Sequence, residues 1–123
     1  MSPLGAAVIG LGVGRIHAVA YDALPEYELV AVCDTNPERL ALAREQFGLA
    51  AYSDAAEMLR DERIEVVSVA TPHPSHAPLA IAALESGRHV IVEKPMAVNL
   101  READAMIECA SFALALVMRI TWI

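Results

Sequence analysis

Short apolar runs alternate with longer helix-like stretches along the whole chain, and this alternation constrains the fold more than any other feature. The runs LGAAVI, ELVAVC, EVVSVA and RHVIV are nearly continuous in apolar residues. Such runs are typical of strands buried on both faces of a parallel sheet, with helices as the crossovers. We therefore predict an α/β fold, a doubly wound parallel sheet of the Rossmann type, in one domain over residues 1–123. Strands are predicted at 4–9, 28–33, 50–52, 65–70, 88–92 and 113–119, and helices at 15–24, 36–47, 54–60, 75–86 and 100–110.

Length, charge and hydropathy exclude several classes of protein. The chain has 123 residues, of which 56% are hydrophobic, so it can bury a core and is not intrinsically disordered. Its net charge of −7 argues against a nucleic-acid partner, which calls for a basic face. The longest uncharged apolar stretch, Cys109–Met118, is half of what a membrane span needs, about 20 residues. With no signal-peptide pattern, we expect a cytoplasmic protein whose Cys33 and Cys109 are free thiols.

A glycine-rich turn follows the first predicted strand. Gly10, Gly12 and Gly14 stand before a predicted helix, and Gly14 comes one residue earlier than in the usual G-x-G-x-x-G spacing, where Arg15 now stands. Such a turn lets the backbone approach a pyrophosphate at a helix N-terminus. Asp34 ends the second strand, where a carboxylate accepts bonds from ribose hydroxyls and repels a 2′-phosphate. The pattern predicts dinucleotide binding, with NAD favoured over NADP; an ordinary glycine turn and a helix-capping aspartate are the alternative.

Two further loops follow later strands and are expected at the same edge of the sheet. The segment TPHPSH (71–76) follows the fourth predicted strand, and Glu93-Lys94-Pro95 follows the fifth. Carboxyl ends of parallel strands meet at one edge, so both loops should face the crevice of the glycine turn. Lys94 is the only lysine in the chain. A lysine suits a site where an amine contacts a hydroxyl or moves a proton; a surface lysine on a tight turn is the alternative. Arg39 could meet a phosphate but is expected to be a solvated helix residue.

The chain resembles the N-terminal domain of the Gfo/Idh/MocA oxidoreductases, the glucose–fructose oxidoreductase and inositol dehydrogenase family. The resemblance covers about residues 4–110, and the Glu-Lys-Pro segment is its most specific part. Residues 111–123 are an atypical tail or a final strand. The matching segments are AVIGLGVGRIHA (7–18), LVAVCDTNPERL (29–40), VVSVATPHPSH (66–76) and GRHVIVEKPMAVNLREADAMI (87–107).

The resemblance implies an NAD(P)-dependent dehydrogenase acting on a hydroxyl or carbonyl group of a sugar, cyclitol or related polyol. It implies that the glycine turn lines the pyrophosphate, that Asp34 holds the adenosine ribose, and that Lys94 is the catalytic residue at the reacting hydroxyl. Glu93 is expected beside the nicotinamide ribose, and the Thr71 loop along the cofactor. No metal is expected, because His73 and His76 have no further ligands near them in sequence. The cofactor-binding set is Gly10, Leu11, Gly12, Val13, Gly14, Arg15, Asp34, Thr71, Pro72, His76, Glu93 and Lys94.

The resemblance also implies a second α/β domain that builds most of the substrate pocket and the oligomer interface. We expect that domain to be absent from this chain, which would then be inactive alone, prone to association, and a homo-oligomer only with the missing part. Two other hypotheses stay open at this point. One is a stand-alone dinucleotide-binding or sensing module without turnover, and the other is a non-functional remnant that does not fold stably.

Overall fold

The computed structural model describes residues 2–112 and 117–120. The strands are β1 (Leu4–Ile9), β2 (Tyr27–Cys33), β3 (Ala50–Tyr52), β4 (Val66–Val69), β5 (His89–Glu93) and β6 (Val117–Ile120). The helices are α1 (Gly14–Ala23), α2 (Pro37–Phe47), α3 (Ala55–Met58), α4 (His76–Glu85) and α5 (Leu100–Phe112), with a 3-10 turn over His73–Ser75. None of the helices in the described ranges is long and apolar enough to cross a bilayer.

The strands form one six-stranded sheet in the order β3-β2-β1-β4-β5-β6. Every pair of neighbours is parallel. Strands β2 and β3 lie on one side of β1, and β4, β5 and β6 lie on the other side. This is the strand order of the Rossmann fold, and the reversal between β1 and β4 is the point where such sheets bind ligands. The predicted fold class is confirmed.

The core consists of two apolar layers, one on each face of the sheet. Along β1, Ala6 and Val8 face one layer while Ala7 and Ile9 face the other, as the alternation of a strand requires. The layer on the Val8 side contains α1 and α2, and the layer on the Ile9 side contains α3, α4 and α5. Burial on both faces explains why the strands are continuous apolar runs in the sequence.

Local capping signals place the helix ends where the sequence predicts them. The Asn36 side chain accepts bonds from the amides of Glu38 and Arg39, Pro37 takes the first helical position, and Gly48 closes α2 in the left-handed region. Asn99 accepts from the Glu102 amide at the start of α5. Two predictions need adjustment. The helix predicted from residue 75 is preceded by a 3-10 turn. Of the strand predicted at 113–119, only residues 117–119 lie within the described residues, and β6 continues to Ile120.

Candidate functional site

A cleft of about 680 Å³ opens at the carboxyl ends of β1, β2 and β4, beside the reversal of strand order. Six of the residues predicted to bind a cofactor lie together in its wall, although they come from three separate loops. They are Gly10, Gly12, Val13, Asp34, Thr71 and Pro72. Three further polar residues that line the cleft were not predicted as site residues, namely Thr35, Ser53 and Asp54.

The glycine turn fits closely against the strands beneath it. Gly10 has a φ of +94°, and a Cβ there would lie 2.6 Å from the Ala70 carbonyl oxygen. A Cβ on Gly14 would lie 3.0 Å from Val8 Cγ1, so Gly14 lets α1 pack directly on the sheet despite its early place in the motif. At Gly12 a Cβ would meet only the Arg39 guanidinium, at 3.4 Å. The turn therefore leaves its backbone open toward the cleft at Gly12.

Helix α1 begins at this turn without a side-chain cap and without an acidic residue in its first turn. No side chain within the first turn of α1 therefore offsets the partial positive charge of the helix N-terminus. An open glycine backbone together with such a helix start is the arrangement that binds phosphate groups in proteins. The residues that are present fit the pyrophosphate of a dinucleotide.

Asp34 ties the glycine turn to the start of α2. Its Oδ2 accepts a bond from the Leu11 amide at 2.7 Å, and its Oδ1 accepts one from the Asn36 amide at 2.8 Å. The residue is 7% exposed. Each carboxylate oxygen has a second lone pair, so the group can still accept bonds from a ligand. The Leu11 amide, in contrast, is already used by this bond.

Arg39 is exposed, as expected of a solvated helix residue, but its guanidinium also lies near Asp34. Its Nη1 lies 3.6 Å from Asp34 Oδ2, and its guanidinium is the group nearest to Gly12. Arg39 therefore stands over the glycine turn on the Asp34 side of the cleft. Its position in the first turn of α2 was the available signal, because side chains there lean back toward the preceding loop. Arg15 lies outside the cleft and bonds Gln46 on α2, with its Nη2 3.1 Å from Gln46 Oε1.

The Thr71 loop is held in place by a hydrogen bond to the His76 ring. Thr71 Oγ1 accepts a bond from Ser75 Oγ at 2.6 Å, which closes the 3-10 turn. The His76 ring is fully buried, with Nε2 2.7 Å from the Thr71 carbonyl oxygen and Nδ1 2.7 Å from the Pro95 carbonyl oxygen. His76 thus presents no ring nitrogen to the cleft, and its bonds join the Thr71 loop to the turn after β5.

The turn after β5 carries one buried and one exposed charged residue. Glu93 is buried on the α1 face of the sheet, where its Oε2 lies 3.0 Å from His17 Nε2. Lys94 follows directly and is exposed. Since β5 pairs with β4, the Lys94 turn lies at the same sheet edge as the Thr71 loop. Neither Glu93 nor Lys94 is part of the cleft wall itself.

Two other chemistries are not supported by the geometry. Burial, with the nearby Asp34 and Asp54 carboxylates, raises the pKa of the Cys33 thiol to about 11, so this cleft residue is not a thiolate at neutral pH. His73 and His76 stack edge to face with ring centroids 5.6 Å apart. Within the described part of the chain, no three potential metal ligands come together.

Comparison with known proteins decides the family. A family model described as an oxidoreductase family with an NAD-binding Rossmann fold matches residues 4–119. The chain belongs to the Gfo/Idh/MocA oxidoreductase family. This match confirms the resemblance drawn from the Gly-rich and Glu-Lys-Pro segments, and it confirms NAD as the cofactor expected for the fold.

Members of the Gfo/Idh/MocA family with known activities match this chain over part of their length. A levoglucosan dehydrogenase of Pseudarthrobacter phenanthrenivorans is 39% identical over 86% of this chain and 30% of its own. A myo-inositol 2-dehydrogenase of Thermotoga maritima is 37% identical over 82% of this chain and 31% of its own. The crystal structure of GenD2 from gentamicin A biosynthesis, in complex with NAD, superposes with a TM-score of 0.92 at 30% identity, over 97% of this chain and 34% of GenD2. The chain spans about a third of the length of these relatives.

Proposed function

We propose that the cleft between the glycine turn, Asp34 and the Thr71 loop binds NAD. The observation that carries this proposal is the convergence of an open glycine backbone, an uncapped helix N-terminus and a buried carboxylate at the strand-order reversal. The pyrophosphate lies over Gly12 and the start of α1. The adenosine ribose lies against Asp34, and the Thr71-Pro72 edge of the cleft leads toward the nicotinamide.

The charge around Asp34 favours NAD over NADP. A buried carboxylate at the ribose position would repel a 2′-phosphate, and two backbone amides hold this carboxylate in place. Arg39 partly offsets its charge from 3.6 Å, although its side chain is half exposed and solvent screens it. The preference is therefore for NAD, with Arg39 leaving some affinity for NADP.

The proposed reaction oxidises a secondary hydroxyl of a substrate bound next to the Lys94 turn. NAD, when bound, supplies a hydride acceptor at this edge of the sheet. Lys94 donates a hydrogen bond from Nζ to the substrate oxygen and so supports loss of the hydroxyl proton to solvent, a role that suits an exposed lysine at a strand end. Glu93, bonded to His17, keeps the start of this turn in place beside the nicotinamide ribose.

The substrate class is a sugar, a cyclitol or a related polyol. The names of relatives support this class, since levoglucosan is a sugar derivative and myo-inositol is a cyclitol. Because the chain spans about a third of these relatives, we propose that substrate selection and homo-oligomer formation depend on residues outside it. A cytoplasmic location is consistent with the free thiols of Cys33 and Cys109.

Isothermal titration of the chain with NAD and with NADP tests the cofactor proposal. We expect saturable binding of NAD and weaker binding of NADP, and binding of neither nucleotide to the folded chain would refute it. A stand-alone binding module is the alternative, because the chain contains a complete cleft while spanning about a third of its relatives. Formation of NADH by this chain on a panel of polyols would reject that alternative.

A further inference from the structure

Two buried histidines reach the turn that carries Lys94, one from each face of the sheet. His17 lies on α1 and bonds Glu93, the residue before Lys94. His76 begins α4 on the opposite face and bonds the carbonyl of Pro95, the residue after Lys94. We propose that His17 and His76 are positioning residues that clamp this turn and set where the Lys94 amine can reach.

The His17 half of the clamp is a buried carboxylate–imidazole bond between residues far apart in sequence. His17 is 9% exposed and Glu93 is 7% exposed, and their side chains meet at 3.0 Å. Such a bond is worth more away from solvent than on the surface, and removing one partner leaves the other buried without it. The bond fixes the end of β5 against the helix that starts at the glycine turn.

The second ring nitrogen of His17 also has a hydrogen-bond partner, which bears on which groups donate and which accept. His17 Nδ1 lies 3.0 Å from Ser68 Oγ, and the Tyr21 hydroxyl lies 2.7 Å from the same oxygen. Burial raises the pKa of Tyr21, so its hydroxyl keeps its proton and can donate to Ser68. Ser68 then donates to Nδ1, which leaves Nε2–H to donate to the Glu93 carboxylate. With this assignment each group in the series has one donor for each acceptor, and His17 can donate to Glu93.

The His76 half of the clamp uses two backbone carbonyls. Both ring nitrogens lie 2.7 Å from a carbonyl oxygen, one on Thr71 and one on Pro95. Carbonyl oxygens only accept, so the ring nitrogen is the donor in either bond. The fully buried ring therefore links the turn of Lys94 to the loop that forms the edge of the cleft.

The clamp matters because Lys94 is exposed while both its neighbours are held. A lysine side chain is long and flexible, so the position of its backbone decides where its amine can act. A misplacement of about 1 Å costs a catalytic group on the order of 100-fold in rate. The inference rests on the proposed function only in assigning the substrate hydroxyl to Lys94.

Because Lys94 is the only lysine, a chain labelled with 15N-lysine gives one backbone amide signal, which reports on this turn alone. Asparagine places its amide nitrogen near the Nδ1 position of histidine, and glutamine places it near Nε2. At His17 the bond to Glu93 uses Nε2, so we expect His17→Gln to keep the Lys94 signal in place and His17→Asn to displace it. At His76 the bond to Pro95 uses Nδ1, so we expect His76→Asn to keep the signal and His76→Gln to displace it.

In the two displaced variants, the order parameter of the Lys94 amide should fall from about 0.85, typical of rigid backbone, toward about 0.6. The control is His89→Asn, at the exposed start of β5, which should leave the signal unchanged. Lys94 signals that stay in place in all four variants, or that follow the opposite pattern, would overturn the clamp. Titration of the unaltered chain with NAD, run alongside, tests the proposed function separately, since the Lys94 signal is compared without nucleotide.

Discussion

Replacement of Asp34 tests how this cleft would select its nucleotide. Asp34→Asn keeps one oxygen that can accept the Leu11 amide bond of 2.7 Å, but it removes the charge and the acceptor for the Asn36 amide. Asp34→Ala also removes the acceptor and leaves a buried amide without a partner, which costs about 1–3 kcal/mol of folding free energy. We therefore expect Asp34→Ala to be clearly less stable than Asp34→Asn. Thermal unfolding followed by circular dichroism measures this difference.

The effect on nucleotide binding can be worked from the same contacts. Ribose hydroxyls that donate to a carboxylate contribute about 1.5–3 kcal/mol, so Asp34→Asn should weaken NAD binding by roughly 10- to 150-fold. Two unit charges 4 Å apart near a protein surface repel by about 4 kcal/mol. Loss of the Asp34 charge removes this repulsion of a 2′-phosphate and leaves the Arg39 guanidinium beside the ribose position. The preference for NAD over NADP should therefore fall by at least about tenfold.

Isothermal titration of each variant with both nucleotides measures the preference directly. Asp104→Asn is the matched control, because Asp104 is an exposed aspartate on α5 and the change in net charge is the same. A folded Asp34→Asn chain that keeps the original ratio of NAD to NADP affinity would refute the role assigned to Asp34. An equal loss of preference in Asp104→Asn would show that net charge alone governs selection.

Gly10→Ala should destabilise the chain by more than Gly48→Ala, for which we expect a loss of ~1 kcal/mol. Both glycines have a positive φ, but only at Gly10 would a Cβ also meet a backbone oxygen, at 2.6 Å. Equal losses of stability in urea unfolding would contradict this. In a Cys109→Ser background, Cys33 with its pKa of about 11 should be alkylated at pH 8 at least about 100-fold more slowly folded than unfolded. Because the folded state holds the Cys33 proton more tightly, its contribution to stability is complete below pH 9.0 and is lost as pH rises through about 11; a stability that rises over that window would reject the assignment.

Local signals allowed most of the fold to be predicted from the sequence. Helix α2 is the clearest case, since Asn36, Pro37 and Gly48 mark its ends through their own backbone preferences. The parallel order followed from apolar strands separated by helices, and the wall of the cleft followed from loops at carboxyl strand ends. These predictions depend only on residues close together in sequence and on the rule that ligands bind at the carboxyl ends of parallel strands.

The contacts that could not be predicted from the sequence join residues far apart in the chain and depend on the orientation of each helix. His17 and Glu93 are 76 positions apart, and their bond depends on which way β5 places Glu93 and how α1 is turned. The burial of His76 depends on where the turn of Pro95 lies in space. The contact between Arg39 and Asp34 was not predicted, because a helix pattern does not show that an exposed side chain folds back over Gly12.

Binding of a dinucleotide over the glycine turn of this Rossmann domain can be followed at the glycines themselves. The chain has six glycines, so labelling with 15N-glycine gives a small set of amide signals. On titration with NAD, we expect Gly10, Gly12 and Gly14 to shift, while Gly48 and Gly87, which end helices α2 and α4 away from the cleft wall, stay in place. Shifts confined to Gly48 or Gly87, or no shifts at saturating NAD in the folded chain, would contradict dinucleotide binding at the glycine turn.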